Sequence, residues 1–127
     1  MANEPRSLAS QIEGLRSLQP GWDGYSASPI NEDRIKDALG LLGRVPGLSM
    51  PGARAVPMSF GRLQIELAKG DREVELEFGK SGEIHFLAWS KRSGVGKEGR
   101  YSVMSDSVTC ALLVWLEGGA EHGKVGG

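Results

Sequence analysis

Residues 62–78 read RLQIELAKGDREVELEF, and this stretch decides the fold. Apolar side chains alternate with charged or polar ones up to residue 67, and the alternation resumes after Gly70 and Asp71. A period of two is typical of a strand with one face buried and the other in water. Because a short turn joins the two runs, the stretch predicts an antiparallel hairpin.

Further strands are predicted on both sides of the hairpin. A weaker strand is expected at about residues 54–58, a third apolar run covers residues 84–90, and another strand is expected at about residues 100–104. Since consecutive strands with short turns pair with their chain neighbours, the sheet is expected to be an antiparallel meander of four or five strands.

Helical periodicity flanks the predicted sheet. Residues 5–18 repeat leucine and isoleucine at helical spacing, and residues 32–44 do so after Asn31, a favourable N-cap. A last helix is expected over residues 106–117. Two N-terminal helices, a sheet and a C-terminal helix packed on the sheet define an α+β fold.

Length and composition indicate one globular domain. We expect a single domain over residues 1–119 and a flexible tail over residues 120–127. A formal charge of -1 excludes a uniformly basic nucleic-acid binder, although it leaves room for a local basic patch. No apolar run is long enough to cross a bilayer, and the N-terminus lacks the apolar region of a signal peptide, so we expect a cytoplasmic protein without membrane contact.

The residues that carry chemistry do not assemble into a catalytic pattern. Cys110 is the one cysteine of the chain, and its apolar neighbours predict a buried structural thiol. Residues 94–99, GVGKEG, match G-x-G-x-x-G, but the sequence after them looks extended, so a hairpin connection is expected instead of a phosphate site. We therefore expect no enzyme, no metal and no cofactor.

Two surfaces of the predicted sheet are candidates for protein contact. Glu73, Glu75 and Glu77 lie on the polar side of the hairpin, which would suit a basic partner. Leu87 and Trp89 share a face opposite the other apolar residues of their strand. Either the C-terminal helix reaches round to cover them, or they form an exposed patch that contacts a partner protein or a second copy of the chain.

The segment at residues 91–100 is predicted to be a basic loop. It carries Lys91, Arg92, Lys97 and Arg100 against one acidic residue. Such a loop is either simply solvated or contacts nucleic acid or an acidic protein. Contact with nucleic acid would make the chain a regulatory nucleic-acid-binding protein.

The segment GWDGYSASPI at residues 21–30 concentrates aromatic residues and glycines between the first two helices. Trp22 and Tyr25 would either seal the corner between the helices or present their rings to a partner. Asp23 is well placed to accept backbone hydrogen bonds in an Asx turn, which favours the corner.

This segment resembles the GWDGYGA-x-P loop of small uncharacterised proteins from bacteria, phages and mobile elements. The run FGRLQIEL at residues 60–67, REVELEF at residues 72–78 and GEI at residues 82–84 are similar to the hairpin that follows the loop in that family. Ser26 stands where the family often has glycine, and Leu67 stands where tryptophan is common. The resemblance implies the fold and transfers no activity.

The sequence thus predicts a small non-enzymatic binding or accessory protein that acts by protein–protein contact. The resemblance implies a phage or mobile-element origin, and the acidic strand suggests, from charge alone, an inhibitor of a host defence complex that imitates nucleic acid.

Overall fold

The computed structural model describes residues 6–118, which form helices packed on one antiparallel sheet. The elements are α1 (Leu8–Gly14) continued by a 3₁₀ turn (Leu15–Ser17), α2 (Glu32–Arg44), a 3₁₀ turn (Pro46–Leu48), β1 (Arg54–Pro57), β2 (Leu63–Lys69), β3 (Arg72–Lys80), β4 (Glu83–Ser90), β5 (Gly96–Ser102) and α3 (Asp106–Leu116). The predicted α+β class is confirmed. The predicted tail over residues 120–127 lies outside the described residues.

The sheet is a meander in which each strand pairs antiparallel with its chain neighbours, in the order β1-β2-β3-β4-β5. Leu76 at its centre lies opposite Ile65 on one side and Phe86 on the other. We call the face that carries these residues the covered face, because its aliphatic side chains form one buried cluster with those of the helices. The sheet members of that cluster are Leu63, Ile65, Leu67, Val74, Leu76, Phe78, Ile84 and Ala88.

The first helix is shorter than predicted. It begins after Ser7, whose side chain accepts a hydrogen bond from Ser10 N at 3.1 Å, and ends at Gly14. Glycine weakens an α-helix, and the chain tightens into the 3₁₀ turn. Gln11 ties α1 to the sheet edge: its Nε2 donates to Ala53 O (3.3 Å) and its Oε1 accepts from Ala55 N (2.9 Å).

The second helix has the predicted bounds. Asn31 Oδ1 accepts from Asp33 N at 2.8 Å, which satisfies one of the free amides of the first turn. Ile35, Ala38 and Leu41 are fully buried on its inner side. The Asn31 cap fixes the start of α2, and the buried residues of its inner side pack against β3.

The C-terminal helix lies on the covered face and does not reach round the sheet. Tyr101 Oη and Thr109 Oγ1 are 2.8 Å apart, and the Arg72 guanidinium lies 4.8 Å from the centre of the Trp115 ring. Cys110 is exposed, so the predicted buried thiol is wrong. The helix is apolar on nearly every side, and its sequence pattern therefore gives no indication of which side faces the sheet.

The fifth strand begins earlier than predicted, at Gly96 instead of residue 100. Its glycines argue against a strand by propensity, but pairing with β4 holds them extended, with Gly99 opposite Phe86. Half of the predicted basic loop is therefore strand. In the G-x-G-x-x-G segment, Gly94 and Val95 end the connection between β4 and β5, as expected of a hairpin connection, but residues 96–99 belong to β5.

Candidate protein-binding face of the sheet

The second face of the sheet carries the predicted acidic and aromatic residues, and we call it the open face. Strand register aligns its side chains in three rows across β2, β3, β4 and β5. The first row is Ala68, Glu73, Trp89 and Gly96; the middle row is Glu66, Glu75, Leu87 and Glu98; the third row is Gln64, Glu77, His85 and Arg100. The structure thus brings the acidic residues and the Leu87/Trp89 patch onto one surface.

Most glutamates of the open face are paired with a cation from the same chain. These half-exposed pairs contribute little to stability, since exposed ion pairs are worth about 0–1 kcal/mol, but they cancel the charge. The pairs are Glu66 with Arg54 (2.5 Å), Glu73 with Lys91 (2.6 Å) and Glu77 with Arg62 (2.7 Å).

Glu75 differs from its neighbours. Among residues 6–118, the structure gives its carboxylate no ion pair and no hydrogen bond, although the side chain is half-buried. Burial raises the pKa of Glu75, and the neighbouring carboxylates of Glu66, Glu73 and Glu77 raise it further. The centre of the open face is therefore a carboxylate in surroundings that disfavour its charge.

Apolar surface lies directly beside Glu75. Leu87 is its cross-strand neighbour and is 37% exposed, and half-buried Trp89 lies one row away on the same strand. Gly96 stands opposite Trp89, where an added Cβ would lie 3.1 Å from the Trp89 Cβ. Because Gly96 has no side chain, no side chain of β5 covers the Trp89 indole from the directly opposite position. The C-terminal helix does not cover this patch, in which Leu87 is exposed and Trp89 is half-buried.

A small polar depression lies at one end of the open face. It has a volume of about 280 Å³ and is lined by Arg62, Glu77, Lys80, Glu83, His85 and Arg100. His85 lies 3.4 Å from a carboxylate oxygen of Glu98 and 4.0 Å from one of Glu77. Within residues 6–118, no three histidine, cysteine or acidic side chains come together as metal ligands would.

An apolar groove that the sequence did not indicate lies on the covered face, between α3 and the strands β4 and β5. It has a volume of about 520 Å³, and its lining includes Phe86, Ala88, Val95, Val108, Leu112 and Trp115. The one indication of this groove in the sequence is Gly99, which lies opposite Phe86 and leaves room for its ring, since a Cβ at residue 99 would lie 2.9 Å from that ring. This indication can be used only when the register of β4 and β5 is known.

The basic residues of the 91–100 segment do not form one surface. Lys91 pairs with Glu73, the Arg92 Nε lies 3.6 Å from Asp71, and Arg100 lies 3.4 Å from Glu83. By strand alternation Lys97 lies on the covered face, whereas Arg100 lies on the open face. The prediction of one basic loop is therefore wrong, because residues 96–100 belong to β5.

The α1–α2 connection is a self-closed corner. Asp23 Oδ1 accepts from Tyr25 N (2.9 Å) and Ala27 N (3.3 Å), which confirms the Asx turn. Trp22 packs partly against the core and donates from Nε1 to Ser28 O at 2.7 Å. Tyr25 is 87% exposed. Trp22 thus has a structural partner, while the Tyr25 ring alone remains a candidate contact.

The fold and the open face define an α+β domain with a solvent-facing acidic and aromatic sheet. Comparison of the chain with protein-family models, curated proteins and solved structures finds no match. Within residues 6–118, no helix combines the length and the apolar character that crossing a bilayer requires.

Proposed function

We propose that the chain is a non-enzymatic binding protein whose open face receives a partner protein. The observation that carries this proposal is Glu75, a carboxylate without an ion pair in the described structure, set beside the exposed Leu87 and the half-buried Trp89. A partner that places a lysine or arginine over Glu75 and apolar side chains over Leu87 and Trp89 satisfies both features at once. Central aromatic residues surrounded by polar ones are the usual arrangement of a protein interface.

The charges around Glu75 favour one cation at the centre over a broadly basic partner. Glu66, Glu73 and Glu77 already have cations from the chain, so they form a neutral rim. A cation that reaches Glu75 meets a partly desolvated carboxylate that has no ion pair within residues 6–118, and electrostatic attraction there is stronger than in water. Imitation of nucleic acid, which needs a row of uncompensated charges, is correspondingly less well supported.

The resemblance of the 21–30 segment supports a phage or mobile-element origin, and we propose that the partner is a protein of the bacterial host. Inhibition of a defence complex is one form that such binding would take. Its support is the resemblance.

Site-specific photocrosslinking in bacterial lysate tests the binding face. A photoreactive phenylalanine analogue replaces Leu87 in one variant and Val114, an exposed residue of α3, in a matched control. We expect a specific crosslinked protein at position 87 only, with a basic residue in the linked peptide. Equal capture at both positions would contradict the assignment of the face.

Substitutions on the face provide a second test with the captured partner. Trp89→Ala is expected to weaken binding about 30-fold, as loss of a central aromatic contact typically does. Glu75→Lys should abolish binding, while Glu117→Lys, a charge reversal at the exposed end of α3, should leave it unchanged. Undiminished binding of the Glu75→Lys and Trp89→Ala proteins would overturn the proposal.

Nucleic-acid binding remains the alternative function. Lys91, Arg92 and Arg100 are paired with carboxylates of the chain, which reduces the positive charge offered to phosphate. Binding of short oligonucleotides that falls steeply with salt and weakens in a Lys91→Glu/Lys97→Glu protein would favour it.

A further inference from the structure

The two edges of the sheet are protected very differently. At the first edge, β1 is only four residues long, ends in Pro57, and has its Ala55 amide bound by Gln11. At the other edge, β5 extends over seven residues. Within residues 6–118, no hydrogen bond to the backbone groups of Glu98 or Arg100 comes from outside the sheet. Unpaired strand edges of this kind are templates for another strand.

The direction of the free backbone groups follows from hydrogen bonds at the two ends of β5. Val103 N donates to Gly82 O (2.9 Å), and Val95 O accepts from Ser90 N (3.0 Å). The register between these points is unbroken, so the N–H and C=O groups of the odd-numbered residues of β5 point toward β4. The N–H and C=O groups of Glu98 and Arg100 therefore point outward.

We propose that β5 pairs antiparallel with β5 of a second copy, across a twofold axis at Gly99, and that the chain forms a homodimer through this edge. In this register Glu98 lies opposite the partner's Arg100, and Arg100 lies opposite the partner's Glu98. Each of these pairs exchanges two backbone hydrogen bonds, and their side chains lie on the same face of the combined sheet. The dimer does not depend on the function proposed for the open face.

Charge selects this register over its neighbours. Only residues whose N–H and C=O groups point outward can form hydrogen bonds across the new interface, so the nearest alternative twofold axes lie at Glu98 and at Arg100. An axis at Glu98 places Glu98 opposite Glu98 of the second copy. An axis at Arg100 places Arg100 opposite Arg100 of the second copy. Like charges directly opposite each other destabilise a strand pair, whereas opposite charges stabilise it. Both side chains are more than half exposed, and each also lies 3.4 Å from a group of its own chain, Glu98 from His85 and Arg100 from Glu83.

Gly99 fits the position on the axis. Non-hydrogen-bonded partners in antiparallel strands approach to about 4.5 Å between Cα atoms, so side chains are most crowded there. A Cβ on Gly99 would already lie 2.9 Å from the Phe86 ring of its own chain. The strand has no side chain where two copies would approach most closely. The charges of Glu98 and Arg100 disfavour the other registers, and in the register with its axis at Gly99 each lies opposite a charge of the other sign.

Charge reversal on one side and on both sides tests the interface. Variants Glu98→Arg and Arg100→Glu are compared with the wild type by sedimentation equilibrium, all carrying Cys110→Ser so that disulfide dimers cannot contribute. Each single reversal places like charges across both symmetric pairs. We expect each to weaken dimerisation by about tenfold or more. The double variant Glu98→Arg/Arg100→Glu should recover the wild-type association.

Mixing the two single variants gives the most specific readout. One copy then presents two arginines and the other two glutamates, so a heterodimer should form although neither variant dimerises well alone. Glu98→Pro should also be monomeric with a native circular dichroism spectrum, because the amide that it removes points away from β4 and the Glu98 side chain is largely exposed. A wild type that stays monomeric at its solubility limit, or single reversals that dimerise as the wild type does, would overturn the proposal.

Discussion

Leu76 and Glu75 are neighbours in the chain, yet they lie in opposite surroundings. Leu76 is 1% exposed between Ile65 and Phe86, whereas Glu75 lies beside another carboxylate and the exposed Leu87. The covered face uses alternation to fill a core, and the open face uses it to assemble charges that the chain only partly neutralises. The comparison shows that one face is closely packed and that the other has, at its centre, a carboxylate in surroundings that disfavour its charge.

The largest expected difference between the faces is in apolar contacts. Leu76→Ala should lower the free energy of unfolding by about 3 kcal/mol, because it leaves a cavity in the core. Leu87→Ala should lower it by about 1 kcal/mol, since that side chain is partly in water already. Urea unfolding of both variants measures the difference, and equal losses would show that the open face is covered in solution.

Arginines on the two faces provide the next contrast. Arg72 is 6% exposed, stacks over the Trp115 ring and donates from Nη1 to Trp115 O. Arg72→Met should therefore cost about 1–2 kcal/mol. Arg62→Met, which removes the half-exposed partner of Glu77, should cost less than about 1 kcal/mol. The same urea experiment ranks them, and a reversed order would refute the difference between the faces.

The smallest energetic effect has the opposite sign. Glu75→Gln should raise the free energy of unfolding at neutral pH by about 0.5 kcal/mol, because it removes a like-charge contact. Glu73→Gln is the matched control, and it should be neutral or destabilising, since Glu73 has Lys91 as its partner. A loss of stability in Glu75→Gln would show that the carboxylate has a cation in solution.

The pH dependence of stability follows from the raised pKa of Glu75. A folded pKa above the unfolded one means that the protonated carboxyl favours the folded state. That contribution is complete below the ordinary value of 4.5 and is lost as the pH rises through the folded pKa. Between wild type and Glu75→Gln, the stability difference should therefore grow on going from acid to neutral pH, as pH-dependent unfolding measures.

The exposure of Cys110 provides a test of the orientation of α3 that does not involve a change in stability. A thiol-specific reagent should label it completely in the native protein at a rate close to that in denaturant, because the side chain is exposed. Slow labelling that needs unfolding would indicate that α3 turns its other side to solvent, or that another molecule covers it.

Local signals made much of the fold predictable. The Asn31 cap and the stripe that follows it gave α2 its bounds, and the alternation around Gly70 gave the central hairpin. The start of β5 was not predictable in this way, because Gly96 and Gly99 disfavour a strand and only pairing with β4 holds them. The buried side of α3 is likewise set by tertiary contacts such as that of Thr109 with Tyr101.

The candidate site was predictable as a set of residues but not as an arrangement of charge. Alternation indicated that Glu73, Glu75 and Glu77 share the polar side of β3. Which of them are neutralised depends on cations that come from other segments, such as Lys91 and Arg62, and therefore on register and turn geometry. That Glu75 has no ion pair among residues 6–118 appears only when these are known.

The hydrogen bonds of Gln11 with Ala53 and Ala55 bear on the symmetry of any assembly. A molecule with one sheet edge that can pair with a second copy forms a twofold dimer, while a molecule with two such edges can form a filament. If two copies pair through β5, the Gln11 contact at the β1 edge, together with the short length of β1 and Pro57, would stop assembly at the dimer. Helix α1 would then limit the size of the assembly in addition to packing on the core.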